Sequence, residues 1–419
     1  MNVKAPTIQH SRPFYAWTIL IISVLFNAYS FTLQSSPGIK DLIGGNEDKV
    51  IHYVYALSGF FYAFALFQIP IGLLIDRFGS RIFPTMGVLL CASGAIYFSQ
   101  TTSPFQMAIA RFIMGAGGAF SFLNALKLIS SWFEPRRFAF LFGIFIALGT
   151  LGILFLNLFF SYLAEVFHWK KAMLFFGIGG LVLACIFFLV VRDAPYKKII
   201  NKKEFWNDVK HVFNNSQVWI IGITVGLVIG PLFSFEAIWS IPFLEAVYNV
   251  PHNLALIFNT LFVIGYSIGT VYFGRTSTSL RKRKIFIPWG IGFTLMMMII
   301  ILYPPYIGIQ VTAMSFFMLG FAASNVNLGY VSVHEHNTPQ VTATAVSIVN
   351  AFYAFFAAIT QSLIAVFLQL GQRVKDAPEY SIHDYQITLI RLPIYILIAL
   401  IFSFFIKETH ARQITQYND

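Results

Sequence analysis

"GLLIDRFGSR", running from Gly72 to Arg81, decides how the whole chain is read. Asp76, Arg77 and Arg81 stand with Gly72 and Gly79 between two apolar runs, 51–75 and 82–100. A charge at the centre of a membrane helix costs about 2.5–3.5 kcal/mol even on lenient insertion scales. The cluster therefore belongs in a short polar loop joining two membrane helices. Arg77 and Arg81 hold such a loop on the cytoplasmic side. Gly79 permits the tight turn, and Gly72 lets a neighbouring helix approach closely. Asp76 needs a reason of its own in a basic loop. A nearby helix N-terminus, with exposed N–H groups and a favourable dipole, supplies one.

The composition extends this reading to the whole chain. Of 419 residues 57% are hydrophobic, 17% aromatic and only 11% charged, whereas soluble domains carry about 25% charged residues. The formal net charge of +11 sits in loops between apolar runs, so it is a topology signal and no nucleic-acid partner is expected. Cys91 and Cys185 both fall in apolar runs, which excludes a disulfide framework or a zinc cluster. The N-terminus lacks a signal-peptide pattern.

Runs of about 20 apolar residues mark membrane helices. They fall at 14–38, 51–75, 82–100, 104–131, 139–166, 171–191, 218–247, 252–274, 285–303, 307–333, 342–370 and 386–406. The runs are continuous rather than alternating, which argues against barrel strands. The expected fold is an all-α integral membrane protein with twelve transmembrane helices in two six-helix bundles. Alternating the loops puts nineteen Lys and Arg on one side and only Lys40, Lys49, Lys170, Lys171, Arg373 and Lys375 on the other. Both termini are thus expected in the cytoplasm. The longest cytoplasmic connection, 192–217, separates an N-terminal bundle at 1–191 from a C-terminal bundle at 218–419. Within it "KKEFWNDVKHVF" places Phe205, Val209 and Phe213 on one helical face, the pattern of a linker helix lying along the membrane surface.

The loop at 72–81 resembles the signature of the major facilitator superfamily, Gly-x-x-x-Asp-Arg/Lys-x-Gly-x-Arg/Lys, filled here by Gly72, Asp76, Arg77, Gly79 and Arg81. The resemblance implies that Asp76 helps latch the two halves on the cytoplasmic side and lets go when the transporter switches. "ARFIMGAGGAF", with Arg111, Gly115, Gly117 and Gly118, is similar to the family's fourth-span pattern. "WFEPRRFAFLFGI" is similar to its loop into the fifth span. In "IGTVYFGRTSTSLRKRK" the second half echoes the first, but Thr278 stands where an acid is common. "GIFIALGTLG" carries Gly149 and Gly152 for helix packing but lacks the Gly-Pro pair of drug antiporters. A weaker resemblance links the chain to bacterial relatives of the lysosomal dipeptide transporter branch.

Ionisable residues inside a membrane default to function. Arg111 lies about 10 Å and Glu236 about 16 Å from the outer ends of their helices, by helical rise. Arg111 can bind a substrate carboxylate bidentately, or else hold helix carbonyls within its own half. In the family the first, fourth, seventh and tenth spans line the central cavity. A substrate engaging Arg111 then alters the protonation of Glu236, a proton-coupling device, while a fixed ion pair is the alternative. Trp239 lies one turn from Glu236. Neutral polar groups in the spans include Asn27, Gln34, Tyr62, Gln68, Asn259, Tyr266, Asn325, Asn327, Tyr330, Asn350 and Tyr353. Of these, Asn27, Tyr62, Asn325 and Asn350 join Arg111, Glu236 and Trp239 as substrate or coupling candidates. Asn325 and Asn327, two apart, cannot share a face. Lys127 reads as snorkelling to the interface, and "SVHEHNTPQ" reads as an exposed interface cluster.

No nucleotide loop, metal set or nucleophile–base pair is present, so no cofactor and no enzymatic activity are expected. The expected function is a monomeric secondary transporter, in contact with lipid, in a bacterial inner membrane. It takes up a small anionic or zwitterionic solute by alternating access, coupled to protons. Export of a siderophore or drug-like compound is the alternative, and a non-transporting solute sensor is the alternative of another class.

Overall fold

The computed structural model describes residues 13–35, 50–193, 202–303, 308–375 and 381–413. Lys40 and Lys49, two of the charges used for orientation, lie outside them. Among the described residues all regular structure is helical. Spans 1 to 6 are Phe14–Ser35, Ala56–Phe78, Ile82–Gln100, Pro104–Trp132, Pro135–Phe167 and Trp169–Val190. Spans 7 and 8 are Ser216–Tyr248 and His252–Leu280, and spans 10 to 12 are Ile309–Glu335, Pro339–Leu368 and Ile382–Ser403. These eleven are long and apolar enough to cross a membrane; span 9, Phe286–Leu302, is shorter. Among the described residues these twelve apolar spans follow the expected order. The end bearing the loops between spans 2 and 3, and between spans 8 and 9, is called the basic end below.

Local chemistry sets the helix starts. Ser103 accepts from the Gln106 N–H, with Pro104 as the first helical residue of span 4. Ser381 and Asp384 form a reciprocal capping box at span 12.

Span 4 is the mast of the first half, and its three glycines face three different neighbours. Gly115 lies against the Phe60 carbonyl of span 2. Gly117 lies against the Gly87 carbonyl of span 3, and a Cβ at Gly118 would sit 2.6 Å from Ser30 Oγ of span 1. Without a hydrophobic drive between helices in lipid, close backbone packing of this kind holds them together. Gly149 and Gly152 of span 5 leave room for the Asn27 and Ala28 side chains of span 1.

The halves meet tightly at the basic end. A Cβ at Gly72 of span 2 would lie 2.8 Å from the Ala343 carbonyl of span 11. A Cβ at Gly274 of span 8 would lie 2.7 Å from the Ala139 carbonyl of span 5. Gly72 and Gly274 occupy equivalent places in the two halves, so two matching crossings close this end.

A second correspondence ties each half to itself. After span 6, Asp193 Oδ1 accepts from the Ser80 N–H at 2.5 Å and so staples the loop between spans 2 and 3. After span 12, Glu408 accepts from the backbone N–H groups of Arg283 and Lys284 at 2.8–2.9 Å and staples the loop between spans 8 and 9. Around that second staple Arg283 pairs with buried Glu335 at 2.8 Å, and Thr409 donates to Glu335.

The linker helix, Lys202–Asn214, corrects an expectation. Its buried residues are Phe205, Val209 and Val212, while Phe213 is only half-buried. The spacing i, i+4, i+7 turns this stripe toward the protein. Thr338, just after span 10, donates to Asp208, and Asn215 donates to the His336 carbonyl. The helix therefore packs on the second half through Phe205, Val209 and Val212.

Candidate functional site

Asp76 finds its helix N-terminus at span 11. Its carboxylate accepts from the Ala343 N–H at 3.2 Å, the Thr344 N–H at 2.6 Å and the Thr344 hydroxyl at 2.8 Å. Lys127 of span 4 completes the set at 2.6 Å, and the Asp76 side chain has no exposed surface. Lys127 also donates to the carbonyls of Pro339 and Gln340 at 3.1 and 2.7 Å. Two spans of the first half thus grip the start of span 11. The expectation that Lys127 snorkels to the interface is corrected: an acid and two carbonyls sit within reach, and its side chain is 13% exposed.

Gly72, Asp76 and Arg77 lie on the last helical turns of span 2 rather than in the expected loop, which is confined to residues 79–81. Gly79 has φ +102°, and a Cβ there would collide with the Asp193 carboxylate. Arg81 Nε donates to the Phe188 carbonyl at 3.0 Å, with its guanidinium 4.5 Å from the Phe188 ring centre. Arg77 lies over Phe78. In the second half Thr278 donates to the Gly274 carbonyl and accepts from Arg283, so this side chain binds inside its own half.

Next to the Asp76 contacts lies an aromatic seam. Tyr330 of span 10 packs edge-on against Phe122 of span 4 at 5.1 Å and Phe142 of span 5 at 5.8 Å. One turn further His334 stacks on Phe138 at 4.0 Å and bonds Thr342 at 3.1 Å. His334 and Glu335 are buried, correcting the expected exposed cluster. The C-terminal segment and the loop between spans 10 and 11 cover them. Among the described residues no group of three or more His, Cys, Asp or Glu side chains could hold a metal ion.

Higher in the molecule the candidate charges face different partners. Arg111, 1% exposed, donates through Nη1 to the carbonyls of Leu33 and Gln34, and its guanidinium lies 5.2 Å from the Phe98 ring centre. These contacts hold the end of span 1 within the first half. Glu236 lies on a five-residue π-helical turn, Phe235–Trp239, inside span 7. Such turns widen a helix and recur at functional sites. Asn259 of span 8 donates to Glu236 Oε1 at 3.1 Å and accepts from Ser240 at 2.9 Å. Tyr353 of span 11 lies near the Gln34 side chain and within electrostatic reach of Glu236. Gln34, whose carbonyl holds Arg111, therefore joins the two neighbourhoods across the halves.

The remaining candidates scatter. Trp239 is half-buried, and its Nε1 has no hydrogen-bond partner among the described residues. Asn27 accepts a long bond from Ser121 of span 4 at 3.5 Å. Tyr62 is 52% exposed, one turn from exposed Leu66. Asn325 rests against Gly290 of span 9, while Asn327 bonds Tyr266 and Thr270 of span 8, as their two-residue spacing requires. Asn350 accepts from the Tyr330 hydroxyl at 3.1 Å. Gln34, Asn259, Tyr330 and Tyr353 were visible in the sequence only as polar residues in apolar runs. Their grouping depends on helix rotation, which a nearly uniform apolar background does not reveal.

Twelve spans in two halves, with an acid of span 2 bound at the start of span 11, agree with the match of residues 14–361 to the family model for the Major Facilitator Superfamily. The chain belongs to the Major Facilitator Superfamily. Members of this superfamily are transporters, not enzymes. One relative of this superfamily chain is the probable galactarate/D-glucarate transporter GudP of Bacillus subtilis (strain 168), 27% identical over 36% of this chain and 34% of that protein. The chain thus spans about a third of the length of that curated relative. In fold it is similar to the proton:xylose symporter XylE, with a TM-score of 0.72 at 13% identity over 95% of this chain and 97% of that one. It is also similar to a bacterial homologue of the human lysosomal transporter Spinster, with a TM-score of 0.64 at 16% identity over 95% and 98% of the two chains.

Proposed function

We propose that this superfamily transporter takes up a small hydroxylated carboxylate together with a proton, through a site between its halves. It works in a bacterial inner membrane with both termini in the cytoplasm. The observation that carries the reading is Glu236, a carboxylate on a π-helical turn in the membrane interior, tethered at Oε1 by Asn259. A carboxyl so placed is costly and defaults to function. Its second oxygen is the place for the transported proton, and the protonated group is a donor for a carboxylate solute. Gln34, Asn259 and Tyr353 offer the amide and hydroxyl groups that recognise solute hydroxyls. The name of the GudP relative, which specifies hydroxylated dicarboxylates, favours the same class. Arg111 acts in this reading by fixing the end of span 1, so that Gln34 meets Tyr353.

The test uses purified protein in proteoliposomes with labelled D-glucarate. Glu236→Gln is expected to abolish uptake driven by a pH gradient while solute exchange persists. Driven uptake at the wild-type rate in Glu236→Gln overturns the proton-carrier role.

A further inference from the structure

We propose that the hydrogen bond from Tyr330 to Asn350 holds the basic end shut, and that Asn350 is the positioning residue through which an occupied solute site releases it. The second clause rests on the transport reading above; the first does not.

Tyr330 is buried, and its ring is the contact that span 10 makes with Phe122 and Phe142 of the other half. Its hydroxyl has its acceptor on a third element, Asn350 Oδ1 of span 11. The bond therefore fixes the ring's pitch against the first half. His334, one turn on, repeats the contact on Phe138. Both rings ride on Leu328–Glu335, the last two turns of span 10. Immediately before them Ser324–Asn327 is wound as a 3-10 helix, a change of winding that often marks a hinge. The gate-bearing turns can thus move as a unit below a weak point.

Asn350 faces both ways. Its Oδ1 serves Tyr330, and its Nδ2 is buried with no hydrogen-bond partner among the described residues. Three residues on, Tyr353 lies near the Gln34 side chain and within electrostatic reach of Glu236. An unpartnered buried donor is unfavourable and gains on meeting an acceptor. A solute oxygen arriving beside Tyr353 is such an acceptor. Drawing Nδ2 toward it turns the amide, withdraws Oδ1 from Tyr330 and frees the ring to leave Phe122 and Phe142. Asn350 then acts through Tyr330, whatever its direct contact with solute.

The experiment uses the full chain in liposomes with Cys91→Ala and Cys185→Ala, and Ala139→Cys as reporter, since Ala139 is buried beside Phe138, where span 5 crosses Gly274 of the other half. Labelling by a membrane-impermeant maleimide from the basic side reads opening. Tyr330→Phe, which keeps the ring, and Asn350→Ala are each expected to raise the labelling rate about fivefold, the double variant no further. Asn350→Asp, which keeps an acceptor, is expected to stay within about twofold of wild type. Unchanged labelling in Tyr330→Phe, or multiplied effects in the double variant, overturns the proposal. D-glucarate is expected to speed labelling in wild type but not in Tyr330→Phe. A wild type that carries no D-glucarate, yet shows the labelling pattern, overturns the transport reading and the release clause while the gate bond stands.

Discussion

Asp76 gathers four contacts at the start of span 11, three from that helix and one from Lys127. Removing one partner of a buried ion pair costs on the order of 3–5 kcal/mol, because the survivor is left uncompensated. The two removals are not equivalent here. Asp76→Ala uncaps span 11 and leaves Lys127 two carbonyls but no counter-charge. Lys127→Met leaves Asp76 with its three hydrogen bonds. Asp76→Ala is therefore expected to open the basic end more than Lys127→Met, read as faster labelling of Ala139→Cys; the reverse order would show that Lys127, not the helix cap, dominates. The sequence exposed Asp76 because an acid in a basic loop demands a partner. It hid Lys127, because a lysine near a helix end usually has water to reach, and only the fold brings Asp76 to it.

At the scale of elements, the C-terminal segment after span 12 behaves as a strap. Burial alone raises the Glu408 carboxyl, but the N–H groups of Arg283, His410, Lys284 and Thr409 outweigh it and hold it below the ordinary carboxylate range. A depressed folded value stabilises the fold above the unfolded value, about 4.3 for Glu, and that stabilisation disappears as pH falls through the folded value. The thermal midpoint of Glu408→Gln is expected to lie below wild type at neutral pH and to converge with it in acid. A gap that persists in strong acid points to packing rather than charge. Helix positions were legible from apolar runs alone, down to the seventeen-residue span 9. The linker's partner was not: Phe205 and Val209 announce an apolar face, but lipid and protein satisfy such a face equally.

For the molecule as a whole, continuous hydrophobicity, one-sided basic loops and repeated glycines carried the architecture, because those features encode membrane depth and close helix approach. The solute region resisted. Arg111 and Glu236 lie at similar depth by residue count, yet depth gives no rotation, and Arg111 turns to the carbonyls of span 1. Which polar residues share a space is a property of twelve helix orientations together.

Asp193 and Glu408, each fastening a loop of its own half, carry one more implication. Neither bundle borrows its staple from the other, and the linker helix is claimed by the second. A gene severed between Asp193 and Lys202, with both fragments co-expressed, is expected to restore a working carrier by complementation. Cutting instead between Asn214 and Ser216 separates the linker from the bundle it packs on, and recovery of flux should be poorer.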